Sequence, residues 1–358
     1  MVAVARSHLF DVHDEAKVLG FGFVEFATQD SAAMGQLFRS MGFVLVAKHR
    51  RRAINVYRQG DIYFIIRSDD EGFSAVFAKL HGPSVSGFSF LFEDGNAAWE
   101  AALTRGAPPI ESSPPLDFPA IEGVGGSRLY LIDAEMWARV LDQEFTHLVD
   151  PSAVVPGFGL KMLDHLTHNV KQGAMDPWAE FYEQVFNFEE LRFFEIKGKQ
   201  TGLRSRAMVD PTNVARIPIN ESQDDSSQIE EYLRAYHGEG IQHIALSSDD
   251  IYATVEAMRG QGVKFLEVPD TYFEALSDRI PGHDEDLQRL SLNRILMDGG
   301  PDEGKGLLLQ IFTQTVIGPV FFEIIQRKGN DGFGDGNFQA LFESIERDQI
   351  KRGVLKDE

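Results

Sequence analysis

Apolar and polar positions in this chain alternate in short runs instead of forming long helical stripes. Residues 22–27, 53–66, 163–170, 192–218 and 241–246 read as strands, with helical segments between them. Residues 36–43 and 180–188 carry the helical period, and each follows one strand signal and precedes another. A second echo begins His81-Gly82-Pro83 and His237-Gly238-Glu239. In each copy a strand follows, then a helix over 96–103 or 251–258, then a Gly-rich turn. Aligned without gaps, these copies place Gly87 opposite His243. The unit reads strand, helix, several strands, and it occurs four times. The Pro-rich stretch 150–157 separates two halves, giving expected domains of 1–153 and 154–358. The acidic run 221–227 reads as a solvated loop. Near the C-terminus, Phe338, Leu341, Phe342 and Ile345 fall at helical spacing. Asn337 is the expected N-cap, and Gly332, Gly334 and Gly336 precede it as an expected hinge.

One run breaks the pattern in an informative way. In Val320-Phe321-Phe322-Glu323-Ile324-Ile325, alternation puts Phe321, Glu323 and Ile325 on one face and three apolar residues on the other. An ionised Glu in a strand buried on both sides needs a compensating partner, and a metal cation is the strongest one. Two other strands, 163–170 and 241–246, each place a histidine inside an apolar run. Two His and one carboxylate leave positions open on a metal, which is the donor set of non-haem Fe(II) oxygenases. His165, His243 and Glu323 are therefore the expected ligands. His168 lies on the opposite face of the strand from His165 and is given a packing or supporting role. With Gly87 where His243 has its counterpart, metal chemistry is expected in the C-terminal half alone. No H-E-x-x-H helix motif is present. His81 and His237 precede turns and read as structural. The glycines at 332–336 lack the strand–turn–helix setting of a nucleotide loop.

Composition narrows the classes. The chain has 358 residues, 43% of them hydrophobic, with 28 Phe and no Cys. Thiolate catalysis, disulfides and iron–sulfur clusters are excluded, and any metal must take His, carboxylate or water. A net charge of −21 disfavours nucleic-acid binding. No apolar run approaches a membrane span and no secretory leader is visible, so a soluble cytoplasmic protein is expected.

The strings LDHLTHNV, GEGIQHIAL, LLLQIFTQT, GPVFFEIIQRKG and GFGDGNFQALFESIERDQ resemble the 4-hydroxyphenylpyruvate dioxygenase family of the vicinal oxygen chelate superfamily. The resemblance runs from Gly20 to Gly353. It implies an α+β fold of four βαβββ modules paired into two open β-barrel domains, with a C-terminal helix over the metal site. It implies Fe(II) held by His165, His243 and Glu323. It further implies that Ser205, Asn220, Gln242 and Gln310 orient the substrate, and that Pro218, Phe312, Phe333 and Phe338 wall the pocket. The implied reaction takes 4-hydroxyphenylpyruvate and O₂ to homogentisate and CO₂, in tyrosine and phenylalanine catabolism, by oxidative decarboxylation, ring hydroxylation and side-chain migration. The keto acid is part of the substrate, so 2-oxoglutarate is not needed. Family members form homodimers or homotetramers. Two alternatives stay open: 4-hydroxymandelate synthase, with the same iron site, and a non-catalytic binding protein of the same fold. At Pro218, Asn220 and Phe338 the chain carries residue types typical of the dioxygenase. An extradiol ring-cleaving enzyme would need an added acid–base His and Tyr, and no matched pair is present.

Overall fold

The computed structural model describes residues 16–110, 116, 118–197, 202–224, 227–337 and 340. The expected C-terminal helix, with Phe338 at its start, lies almost wholly outside them.

The alternating runs form two eight-stranded sheets. The first holds β1 (Gly20–Ala27), β2 (Val44–His49), β3 (Ile54–Gln59), β4 (Ile62–Arg67), β5 (Ser84–Leu91), β6 (Ala120–Glu122), β7 (Arg128–Ile132) and β8 (Phe145–His147), in the order β6-β7-β5-β1-β4-β3-β2-β8. The second holds β9 (Leu160–Val170), β10 (Glu189–Lys197), β11 (Gly202–Val209), β12 (Arg216–Ser222), β13 (Gly240–Ser248), β14 (Leu296–Gly299), β15 (Leu307–Phe312) and β16 (Phe321–Lys328), in the order β10-β11-β12-β9-β13-β16-β15-β14. Each sheet is centred on an antiparallel pair, β1/β5 or β9/β13, flanked by parallel partners. This is the fourfold strand–helix–strands repeat read from the sequence. The second unit departs from it: β8 crosses to the far edge and pairs with β2.

Helices α1 (Ser31–Ser40) and α3 (Gly95–Thr104) follow the strands that open the first two units, α2 (Phe73–His81) leads into β5, and α4 (Ala134–Glu144) lies between β7 and β8. In the second half come α5 (Met175–Phe186), α6 (Gln228–Tyr236) and α7 (Ile251–Gly260). Asp94 and Asp250 cap the echoed helices α3 and α7 by accepting from backbone N–H groups of the first turn. No side chain at the N-cap position of α5 does this. Its first N–H, Met175 N, instead donates to Glu221 Oε2 at 3.1 Å, which also accepts from Gly173 N in the preceding turn at 2.7 Å. Glu221 is buried and paired with Arg204 at 2.6 Å, so the acidic run begins inside the fold and not in solvent.

One continuous apolar cluster spans both sheets. Phe64 meets Phe322 at 5.8 Å between ring centroids, and Phe90 meets Phe186 at 5.4 Å. Buried rings of this kind cost about 3–5 kcal/mol each to truncate. Strand register shows what stands in the first sheet at the positions of the cluster. His243 pairs with Phe321 in one sheet as Gly87 pairs with Arg128 in the other, so Tyr130 stands where Glu323 stands. Glu25, buried beside it, accepts from Ser86 Oγ at 2.8 Å and Tyr130 Oη at 3.1 Å and lies 3.6 Å from Arg67. Phe23, Phe118 and Trp137 fill the rest. A charged network and aromatic rings occupy that interior.

Candidate metal centre

Three strands of the second sheet bring His165, His243 and Glu323 together. His165 Nε2 and His243 Nε2 lie 3.4 Å apart, and Glu323 Oε2 is 3.2 and 3.4 Å from them. It is the sole such cluster of metal-binding side chains among the described residues. Metal–donor bonds of roughly 2.0–2.2 Å at right angles set donors about 3 Å apart, so this triangle fits one face of a metal's coordination shell. Two imidazole nitrogens and one carboxylate oxygen, all turned to one point, have the chemistry of a divalent-cation site.

Strict alternation does not produce this triangle unaided. β9 and β13 slip register three times, and two of these slips leave Asp164 as an extra residue beside His165 and Gln242 as an extra residue beside His243. A bulge of this kind re-aims side chains. Each extra residue then meets its histidine: His165 Nδ1 donates to Asp164 Oδ1 at 2.8 Å, and His243 Nδ1 lies 3.3 Å from Gln242 Oε1. Both contacts leave Nε2 free to bind a metal. Glu323 is likewise oriented, with Gln310 Nε2 donating to its second oxygen at 3.3 Å.

The electrostatics follow from burial and these partners. Burial works against the Glu323 charge, but the two histidines outweigh it and hold its pKa at about 2. For His165 burial lowers the pKa, and Glu323 and Asp164 more than reverse that. For His243 burial wins and the pKa falls. Asp164 is pulled far below the carboxylate range against its burial, by hydrogen bonds from Arg327 and His165.

The triangle opens into a cavity of about 190 Å³, larger than the roughly 150 Å³ that takes up benzene in an engineered core. Every expected pocket residue among the described ones lines it: Ser205, Pro218, Asn220, Gln242, Gln310, Phe312 and Phe333. Ser205 and Asn220 are paired across β11 and β12, and Ser205 Oγ is buried with no protein hydrogen-bond partner. His165 aligns with Arg216 in β12, four residues from Asn220, which is about 13 Å of strand. His168 is not at the cluster. It points to the opposite side, sharing a 2.7 Å hydrogen bond with Tyr182 and packing on Phe88 of the first sheet.

Some lining residues were not singled out from the sequence. Thr167 places its hydroxyl 2.9 Å from His243 Nε2, and Phe321 stacks on the His243 ring at 4.9 Å. Period-two spacing from His165 and Glu323 points to both. Asn337 is not an N-cap. The helix begins at 335, and Asn337 Nδ2 donates to Gln310 Oε1 at 3.0 Å. Gly334 and Gly336 are also held by close packing. A Cβ on Gly334, which has φ +76°, would lie 1.7 Å from Gln310 Oε1, and one on Gly336 would lie 2.4 Å from Asp298 Oδ1.

The family model of the glyoxalase, bleomycin-resistance protein and dioxygenase superfamily matches residues 162–284, the half that carries the two-His, one-carboxylate triangle. The model for the N-terminal region of hydroxyphenylpyruvate dioxygenase matches residues 13–146. The chain is 51% identical over 343 residues to 4-hydroxyphenylpyruvate dioxygenase of Legionella pneumophila, covering 94% of this chain and 97% of that one. It belongs to the 4-hydroxyphenylpyruvate dioxygenase family. Among solved structures, a fusion of a xylose isomerase-like TIM barrel with 4-hydroxyphenylpyruvate dioxygenase superposes with a TM-score of 0.79 at 29% identity. That match covers 93% of this chain, which spans about half (53%) of the fusion. A triple mutant of 4-hydroxymandelate synthase from Streptomyces coelicolor superposes with a TM-score of 0.78 at 25% identity, over 93% of this chain and 99% of that one. Among the described residues no helix is long and apolar enough to cross a membrane.

Proposed function

We propose that this chain is an Fe(II)-dependent dioxygenase that converts 4-hydroxyphenylpyruvate and O₂ to homogentisate and CO₂. Family membership supports the reaction. The observation that carries it is the convergence, on one aromatic-lined cavity, of a two-His, one-carboxylate triangle and a distant polar pair, Ser205 and Asn220. A para-hydroxylated aryl keto acid has matching ends, a chelating acid and a phenol.

In this reading His165, His243 and Glu323 hold iron, which supplies O₂ activation and a docking point for the keto acid. Ser205 Oγ, buried and unpaired within the protein, and the Asn220 amide receive the phenol. Gln310 keeps one Glu323 oxygen engaged so that the other faces the cation. Phe312, Phe321 and Phe333, together with Pro218, exclude water from the reacting ring. Residues 1–153 serve as the metal-free domain and 154–358 as the catalytic one. We place the reaction in cytoplasmic aromatic amino-acid catabolism, in a homodimer or homotetramer.

The test is product analysis after incubation with Fe(II), ascorbate, O₂ and 4-hydroxyphenylpyruvate. Homogentisate and CO₂ should form in equal amounts, without added 2-oxoglutarate. A 4-hydroxymandelate product identifies the synthase instead. Protein that binds the keto acid without turnover or iron identifies a binding module.

A further inference from the structure

Asp164 links β9 to β16 and β12, three of the strands that line the pocket. It is buried in the β9 bulge beside His165. Arg327, on β16 four residues after Glu323, clamps it with both arms of the guanidinium, Nε to Oδ2 and Nη2 to Oδ1, each at 2.8 Å. Arg216, on β12 and in register with His165, adds a third cationic contact at 3.5 Å. The remaining arm of Arg327 donates to the carbonyls of Asn330, at 3.1 Å, and Gly332, at 2.7 Å. Those two residues lead directly into Phe333, whose ring stands edge-on to His165 at 5.5 Å with the Arg327 guanidinium 5.8 Å from its centroid.

We propose that Asp164 and Arg327 are positioning residues, which set the orientation and donor strength of His165 and tie it to the turn that carries Phe333. The proposal rests on the metal-site reading above. His243 shows what a bare orienting contact looks like, since its Nδ1 meets only the neutral amide of Gln242 at 3.3 Å. His165 instead donates to a full carboxylate that two arginines hold in place. A carboxylate behind an imidazole raises the basicity of the far nitrogen and locks its tautomer, and losing such a partner typically weakens metal binding about 10–100-fold. The arginine fork cannot be replaced by a point charge, because lysine cannot reach two carboxylate oxygens and two carbonyls at once.

The test titrates metal-free protein with Co(II) alone and follows its visible d–d absorption, with thermal unfolding of the same samples. Asp164→Asn should bind Co(II) about 10–100-fold more weakly, with a shifted d–d band. Arg327→Lys should weaken Co(II) binding by a smaller factor and raise KM for the keto acid more than it lowers kcat, because the Phe333 turn loses its anchor. Wild-type Co(II) affinity and spectrum in folded Asp164→Asn would overturn the proposal. If Asp164→Asn does not fold, Arg327→Lys decides: unchanged Co(II) affinity and unchanged KM overturn it. The Co(II) affinity and spectrum do not involve homogentisate. Wild type that binds Co(II) tightly but makes no homogentisate overturns the proposed reaction and leaves this inference intact.

Discussion

His81 and His237 exchange hydrogen bonds between the ends of α2 and α6, the helices that lead into β5 and β13. His81 Nδ1, at the end of α2, donates to the carbonyl of Tyr236 at 2.6 Å. His237 Nδ1, just past the end of α6, donates to the carbonyl of Leu80 at 2.9 Å. The His81 ring also stacks on Tyr236 at 4.5 Å. Each histidine satisfies a carbonyl that its partner's helix leaves open, and the pair joins the two sheets. Both read as structural in the sequence, and their shared place in the repeat is what makes the exchange reciprocal.

His81→Ala should therefore destabilise the protein by about 1–3 kcal/mol, since a buried carbonyl loses its donor and a stacked ring is removed. His237→Ala, more exposed, should cost less, and the double variant should cost less than the sum. Denaturant unfolding of the three variants measures this. Iron content of the folded protein should be unchanged in each.

Glu323→Gln keeps the shape of the side chain and removes the charge facing His165 and His243. Iron occupancy and turnover should fall by more than the roughly 10–100-fold typical of outer partners, while circular dichroism stays native. His165→Ala and His243→Ala should match it. His168→Ala should keep substantial iron, because its ring bonds Tyr182 on the other side of the strand. Metal analysis of protein purified without oxygen decides. Iron loss in His168→Ala as complete as in His165→Ala would reverse the assignment of the two.

Burial holds the His168 pKa at about 3, against 6.5 for an unhindered imidazole. A depressed folded pKa means the unfolded chain binds the proton first. Stability from this group is complete above pH 6.5 and is lost as pH falls toward 3, at about 1.4 kcal/mol per pH unit. By pH 5 the loss should reach about 2 kcal/mol. His168→Gln removes the titration, so the stability difference between wild type and variant should shrink by that amount between pH 7 and 5. A difference constant across the range would show that His168 does not titrate in this way.

Gly334→Ala should damage the site from outside it. The new Cβ would meet Gln310 Oε1, and the backbone sits at positive φ. A residue strained in this way costs on the order of 1–3 kcal/mol. Gln310 would be pushed from Glu323 and Asn337, so turnover should fall along with stability. Gly332→Ala meets only the tip of Asn330 and should be milder. Equal effects of the two on kcat, with no stability loss, would favour the hinge reading over this one.

Local pattern was enough for much of this molecule. Period-two runs located most of the strands, the repeated strand–helix–strands unit predicted two similar halves, and the family resemblance implied a sheet domain in each. A carboxylate between large apolar residues marked Glu323, because an unpaired buried charge is too costly to be accidental. The motifs around His165, His243 and Glu323 carried the resemblance that named the pocket residues. What the sequence could not determine depends on pairing between strands. Alternation puts neighbours on opposite faces, so Asp164 with His165, and Gln242 with His243, cannot both face inward in a regular strand. Two of the three register slips of β9 against β13 allow it, and a slip is a property of two strands far apart in sequence. The same holds for Arg327 reaching Asp164, for Asn337 bonding Gln310 in place of a helix end, and for Glu221 capping α5. Local chemistry set which groups need partners; only the tertiary structure decided which partners they found, because those contacts close long stretches of chain that no local period records.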